Sequence, residues 1–173
     1  MHIERFWNLI GAATDESAEI VKIPARLVEM MSQEPVEQIV AYDLIYTAYM
    51  DYAYDMRLWA AAFVICGGCS DDGFVAFRGW LIAHGKGIYN DAIEDPDTLS
   101  EIYDPEVDRT EAQLEPMNSV AFKCYQRKTG RSDFELLIPP WTPPKARNEN
   151  VWRGEQNKEV LARIVPKLVN KFM

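Results

Sequence analysis

The sequence predicts an all-α fold, in which an irregular bundle of helices forms a single domain. Apolar residues recur at steps of three and four along two long stretches of the chain, and that spacing places them on one face of a helix. No stretch alternates strongly between apolar and polar residues, and residues 134–138 are the best candidate for a strand. With 173 residues, 48% of them hydrophobic and 26% charged, the chain has the size and composition of one globular domain.

The first long stretch predicts a helix over about residues 33–66. Ser32 is its predicted N-cap, and Gly67 and Gly68 are expected to end it, because glycine readily adopts the left-handed conformation past a helix C-terminus. A helix of that length, about 50 Å, is prone to a kink or break in a small domain. Its apolar stripe consists of Ile39, Tyr42, Tyr46, Tyr49, Ala53, Met56, Ala60 and Phe63.

A second helix is predicted to follow directly, over about residues 71–88. Ser70 is its predicted N-cap, and Asp71 and Asp72 fall in the first turn, where the helix dipole favours acids. Its glycines, at positions 79, 85 and 87, indicate close packing of a neighbouring backbone or fraying near residue 85. The apolar repeat consists of Phe74, Phe77, Leu81, His84 and Ile88.

The rest of the chain divides the predicted domain, residues 1–173, into three parts. A helical body covers residues 1–130 and a proline-rich strap covers residues 131–156, with its extended part at about 134–150. We expect the strap to cross the domain with Trp141 tucked in, and the alternative is that it serves as a ligand for an aromatic groove. A C-terminal helix is predicted over 157–172, bent or restarted at Pro166.

The charge distribution is asymmetric. The net charge is −9, but residues 1–118 hold 7 Lys and Arg against 22 Asp and Glu, whereas residues 119–173 hold 11 against 5. The acidic body argues against nucleic acid as a partner. We expect the basic C-terminal region to fold back onto that body, with an acidic partner as the alternative.

The sequence shows neither a targeting signal nor a run of about 20 apolar residues, so no membrane association is predicted. Three cysteines without a disulfide framework favour a reducing cytoplasm. No cofactor and no metal are predicted, and the oligomeric state does not follow from the sequence.

The most informative stretch joins the two long helices at residues 67–80. A structural interpretation explains it by helix capping and by a buried Arg78 paired with a carboxylate. The alternative interpretation uses Ser70 as a nucleophile, or Asp71 and Asp72 as acids or metal ligands, but no histidine lies nearby to serve as base. The candidate cluster consists of Cys69, Ser70, Asp71, Asp72, Arg78 and Trp80.

Two further patterns carry possible chemistry. Cys66 and Cys69 form a C-x-x-C, but the strand–helix context of thiol oxidoreductases is absent and a zinc site would need two more ligands, which favours structural cysteines. A set of polar residues at steps of four lines one helix face, either as a solvated face or paired with Arg57, Arg78 or the basic C-terminal region, the latter being expected for at least one acid. That set is Asp43, Thr47, Asp51 and Asp55.

The same stretch resembles the signature of a bacterial family of domains of unknown function, numbered 4240. The matching residues read GGCSDDGF at 67–74 and FRGWLI at 77–82, with FWNLI at 6–10, LWAAA at 58–62 and DPD at 95–97 as flanks. The resemblance spans most of residues 6–130 and implies a small, mostly helical, usually cytoplasmic bacterial protein. It assigns no activity and no catalytic residues, and Cys66 lies outside the signature.

Three functions remain open at this point. The first is a module that binds or regulates a protein or small ligand through the surface around residues 67–80. The second is a hydrolase or phosphate-handling enzyme that uses Asp71, Asp72 and Arg78, which requires these three side chains to converge on one pocket. The third is an immunity or stress-system protein whose acidic surface meets a basic partner.

Overall fold

Helices make up most of the structure, a computed structural model that describes residues 1–14, 19–102 and 112–173. No strand occurs in these described ranges, so the all-α prediction is confirmed. The α-helices are α1 (Ile3–Ala13), α2 (Ile23–Met31), α3 (Val36–Tyr52), α4 (Met56–Cys66), α5 (Asp71–Ala83), α6 (Lys86–Glu94), α7 (Val120–Thr129), α8 (Lys158–Ile164) and α9 (Pro166–Phe172). Short 3₁₀ turns cover Ile20–Lys22, Pro96–Glu101, Glu115–Ser119 and Phe134–Leu137.

The long helix predicted over residues 33–66 is wrong as a continuous element, because the chain breaks between α3 and α4. Asp55 lies at the N-cap of α4 and accepts a hydrogen bond from the backbone N–H of Arg57 at 2.8 Å. The apolar stripe continues across the break because both helices bury the same side, as the fully buried Ala53 and Ala60 show. Ser32 ends α2 instead of starting α3, and its hydroxyl donates to the carbonyl of Val28.

The second predicted helix is also shorter than expected. It ends at Ala83, and Gly85, with a φ of 89°, lies between α5 and α6. Its predicted start is confirmed, because the hydroxyl of Ser70 accepts from the backbone N–H of Gly73 at 3.1 Å. Gly67 takes the left-handed conformation at the end of α4, as predicted, and the axes of α4 and α5 differ by 95°.

The strap is extended along only part of its length. Phe134–Leu137 forms a 3₁₀ turn where the best strand candidate was expected. Arg147 then pairs with the α3–α4 break, because its backbone N–H donates to Tyr54 at 2.7 Å and its carbonyl accepts from Met56 at 3.0 Å. Trp141 is 59% exposed, so the expectation that it is tucked in against the domain is wrong.

The C-terminal region folds back onto the acidic body, as expected. The single helix predicted there is two, α8 and α9, because Pro166 starts a new helix. Asp97, only 4% exposed, accepts hydrogen bonds from the backbone N–H groups of Lys167 and Leu168, both at 2.9 Å. A buried carboxylate therefore caps α9 at the positive end of its dipole.

Buried side chains from α1 to α9 form one connected hydrophobic core that is rich in aromatic rings. Among the helices that the structure describes, none has the length and apolar character of a membrane span by itself, and α4 and α5 reach that measure only as a bent pair.

Candidate functional site

The six residues of the predicted cluster lie in α5 or directly before it, but they do not gather at one point. Ser70 caps the helix, and Asp71 and Asp72 are exposed in its first turn. Arg78 and Trp80 lie further along, buried against the core. The N-terminus of α5 and its middle are therefore separate candidate sites.

Arg78 is buried, as predicted, but its partners differ from the prediction. It is 8% exposed, its Nε donates to the carbonyl of Phe74 at 3.3 Å, and its Nη1 donates to the carbonyl of Met50 at 2.7 Å. The guanidinium also lies 5.2 Å from the ring centroid of Tyr54 and 5.0 Å from that of Phe74. Among the described residues, no carboxylate is within ion-pair distance, so the expected carboxylate partner is wrong.

Backbone carbonyls and aromatic faces can replace a carboxylate around a buried guanidinium because both present negative potential. Burial lowers the pKa of Arg78, and Asp51 opposes that effect from a longer distance. Nη2 makes no hydrogen bond with any residue that the structure describes.

The C-x-x-C pair lies at the sharp turn between α4 and α5. Neither thiol forms a disulfide, and both are half-buried. The pKa of Cys69 is raised, chiefly by a hydrogen bond to the side chain of Cys66 and then by burial. A raised thiol pKa disfavours the nucleophilic thiolate.

Metal-ligating residues do not cluster in the described part of the chain, where no group of three His, Cys, Asp or Glu residues is arranged to hold an ion.

Two open grooves flank the accessible side of α5. The first has a volume of about 650 Å³ and lies at the helix N-terminus, lined by Ser70, Asp72 and Gly73 together with residues of the 3₁₀ turn at Glu115–Ser119. The second has a volume of about 620 Å³ and lies between α3, the middle of α5 and the strap. We call this second cavity the α3–strap groove.

The α3–strap groove has walls of different chemistry. One wall is the polar face of α3, with Asp43, Thr47 and Asp51, and the opposite wall is the strap segment 138–142. Arg78 lines it from α5. The remaining lining residues are Leu44, Tyr46, Met50, Val75 and Asn118.

One of the two carboxylates in the groove is paired. Asp51 accepts a hydrogen bond from the Nε1 of Trp141 at 3.1 Å, and its charge acts on Arg78. Nearby, the hydroxyl of Tyr46 donates to the side-chain oxygen of Asn118 at 2.6 Å. The first bond holds the strap against α3, and the second joins α3 to the turn at Glu115–Ser119.

Asp43 is the unpaired carboxylate. It is half-buried, and it makes no hydrogen bond or ion pair with the described residues. Burial alone raises its pKa to about 6, because the charged form has lost water without gaining a donor. An unpaired, partly desolvated carboxylate inside a groove indicates a place for a ligand.

Comparison with known proteins places the matched part of the chain in one family. The model of a family described as a protein of unknown function, DUF4240, matches residues 1–127. The chain belongs to the DUF4240 family. No curated protein and no solved structure was found to match it. The DUF4240 match includes the α3 and α5 sides of the groove and ends before the strap, so the groove joins residues from inside and outside the matched region.

The sequence predicts two walls of the groove, the polar face of α3 and the buried Arg78, but not that they line one cavity. The steps of four at Asp43, Thr47 and Asp51 correctly predicted a shared helix face, and Arg78 was correctly predicted to be buried. The pairing of a stripe acid with the basic C-terminal region is confirmed at Asp55, which lies 3.9 Å from Arg147. The groove was missed because the exposed Trp141 and its bond to Asp51 depend on the path of the strap.

Proposed function

We propose that this protein is a binding module for a small ligand and that the α3–strap groove is its site. The groove's volume of about 620 Å³ falls in the usual range of small-ligand sites, roughly 300–1,000 Å³. Like such sites, it combines apolar walls with a few placed polar groups.

The observation that carries this proposal is that two polar groups without hydrogen-bond partners lie beside apolar side chains in the groove. Arg78 keeps a free Nη2, and Asp43 keeps a free carboxylate. Three of the chain's exposed large apolar side chains, Leu44, Val75 and Trp141, lie around the same opening. A ligand would satisfy the polar groups and cover the apolar ones together.

The hydrolase alternative receives less support from the geometry. It requires Asp71, Asp72 and Arg78 to converge, but Asp72 lines the first groove and Arg78 lines the α3–strap groove. Asp71 is exposed in the first turn of α5 and lines neither groove. The immunity or stress-system function stays a prediction, because no partner chain tests it.

A library of small organic fragments tests the proposal on the full chain. Binding is followed by amide chemical shifts in NMR spectra, with the fragments added in mixtures. The proposal predicts that hits perturb amides of α3 and of residues 138–142.

A matched pair of variants on α3 decides whether the groove is the site. Thr47→Trp fills the groove, whereas Ala48→Trp places the same bulk on the neighbouring exposed position. Hits should be lost in Thr47→Trp and retained in Ala48→Trp. Hits that map to the first groove, or that survive Thr47→Trp, would contradict the proposal.

A further inference from the structure

We propose that the ligand of the α3–strap groove is a small organic cation, an ammonium or guanidinium on an apolar body, and that Asp43 is its counter-ion. This inference rests on the proposed function and specifies the ligand class.

The charges that line the groove do not balance. They are Asp43 and Asp51 on α3 and Arg78 on α5, since the strap segment 138–142 carries none. Asp51 interacts with Arg78 and with the Nε1 of Trp141, so these two charges offset one another. Asp43 is left as the uncompensated charge.

Position along α3 separates Asp43 from the offset pair. Asp51 follows Asp43 by eight positions in the sequence, a rise of about 12 Å along the helix axis. The guanidinium of Arg78 donates to the carbonyl of Met50, which lies at the same end of the groove as Asp51. A cationic group on the ligand would therefore sit at the Asp43 end of the groove.

The walls suit the apolar body of such a ligand. Leu44 and Ile138 line the groove, and the indole of Trp141 is 59% exposed. Apolar area beside a carboxylate adds affinity that a hydrated inorganic ion does not gain, and the indole bonded to Asp51 offers apolar area at the other end of the groove. One free carboxylate is also too few oxygen ligands for Ca²⁺ or Mg²⁺.

Arg78 gives the second, independent indication of a ligand. Its side chain is 8% exposed and lines the groove, and its Nη2 has no partner among the described residues. Because Asp51 offsets the charge of Arg78, a neutral oxygen on the ligand suits this donor better than an anion. The groove thus fits a cation at one end and a neutral acceptor at the other.

Three probes of similar shape test the charge preference. They are 2-phenylethylammonium, the neutral 2-phenylethanol and the anionic 3-phenylpropanoate, each titrated into the full chain and followed by amide chemical shifts. We expect the ammonium to bind at the groove at least tenfold more tightly than the other two. Tighter binding of the alcohol or the carboxylate would overturn the inference, yet leave the proposed function supported if Thr47→Trp abolishes it.

Variants of Asp43 test its role. Asp43→Asn should weaken binding of 2-phenylethylammonium at least tenfold, whereas the exposed Asp91→Asn on α6 should leave it unchanged. Affinity in the wild type should also fall about tenfold from pH 7.5 to pH 5, since protonation of a carboxyl with a pKa of about 6 removes the counter-ion. Unchanged affinity in Asp43→Asn would overturn the inference.

A peptide arm distinguishes a free amine from a lysine of a partner chain. A Gly-Lys-Gly peptide blocked at both ends presents the same ammonium on a polypeptide. Tighter binding of this peptide than of 2-phenylethylammonium would overturn the assignment to a small ligand. If none of the probes perturbs the groove, the inference fails, and the fragment library decides the proposed function separately.

Discussion

Asp43 and Asp55 belong to the same stripe of polar residues, yet the structure places them in opposite situations. Asp55 is 1% exposed and fully engaged: it accepts from the backbone N–H of Arg57 at 2.8 Å and from Nδ2 of Asn148 at 2.7 Å, and Arg57 lies 3.4 Å away as an ion-pair partner. Asp43 is half-buried with no such partner among the described residues.

The difference shows how the surroundings, and not the residue type, decide what a buried carboxylate does. At Asp55, the donors come from a helix N-terminus and from the strap, so the carboxylate joins three segments of the chain. At Asp43, the loss of water has no such compensation, and we propose that a ligand supplies the missing partner. Stability is thereby lower at the proposed binding site, a trade-off that proteins often show.

The largest expected effect on stability is at Asp55, the carboxylate with hydrogen-bond and ion-pair partners. Asp55→Ala should lower the free energy of unfolding by about 3–5 kcal/mol, because it removes the cap of α4 and leaves Asn148 and two arginines without their acceptor. Chemical denaturation measures this loss. The control Asp91→Ala, on the exposed face of α6, should change it little, and a loss under 1 kcal/mol at Asp55 would break the comparison.

The second-largest loss of stability is expected at Arg78, because this side chain contacts both the core and the groove. Arg78→Met keeps much of the apolar stem but removes the donors to Phe74 and Met50, so the free energy of unfolding should fall by about 2–3 kcal/mol. Lys86→Met, at an exposed position, serves as the matched control. Equal stability of the two variants would show that the buried guanidinium is not engaged.

Substitution of the unpaired Asp43 should change the free energy of unfolding in the opposite direction. Asp43→Asn should raise the free energy of unfolding at pH 7.5 by about 1–3 kcal/mol, because it removes the cost of a partly desolvated charge. The folded-state pKa of Asp43, about 6, lies above its ordinary value of 3.8, so the wild type becomes less stable as the pH rises from about 4 to 6.

The pH profile of the two proteins checks that assignment. The stability difference between Asp43→Asn and the wild type should grow over that window and level off above it. His84, whose pKa burial lowers to about 4, destabilises the fold as the pH falls below 6.5, but it does so in both proteins and cancels in the difference. A difference that does not vary with pH would contradict the account.

The smallest effect concerns the packing beside Tyr46. A Cβ at Gly79 would lie 2.9 Å from the hydroxyl of Tyr46 and 3.1 Å from the Cβ of Met117, so Gly79→Ala should cost about 1 kcal/mol despite its better helix propensity. Gly87→Ala, where nothing lies within 4 Å, should instead gain about 0.5–1 kcal/mol. Thermal unfolding distinguishes the two variants. A stabilising Gly79→Ala would mean that Tyr46 and Met117 shift without cost.

Local signals in the sequence explain what could be predicted. Ser70 and Gly67 act within one turn of the chain, so their roles at the ends of α5 and α4 were predicted correctly. The break at Asp55 was missed because both helices keep their apolar side toward one core, and the period alone does not reveal a change of axis. An aspartate directly before an apolar run, as at Asp55, is the capping signal that would have found it.

The groove depends on contacts that are distant in sequence. Trp141 meets Asp51 across 90 residues, and Asn148 meets Asp55 across 93. No local pattern fixes such pairings, because they follow from the path of the strap over α3. The prediction of a carboxylate beside Arg78 was wrong for the same reason, because the guanidinium instead donates to the carbonyl of Met50, 28 residues away in sequence.

The same substitution at both ends of the stripe tests the central claim most directly. Free energies of unfolding at pH 7.5 are to be measured for Asp43→Asn and Asp55→Asn beside the wild type. The account predicts opposite signs, with Asp43→Asn more stable than the wild type and Asp55→Asn less stable. Two changes of the same sign would contradict it, because the two carboxylates would then have equivalent surroundings.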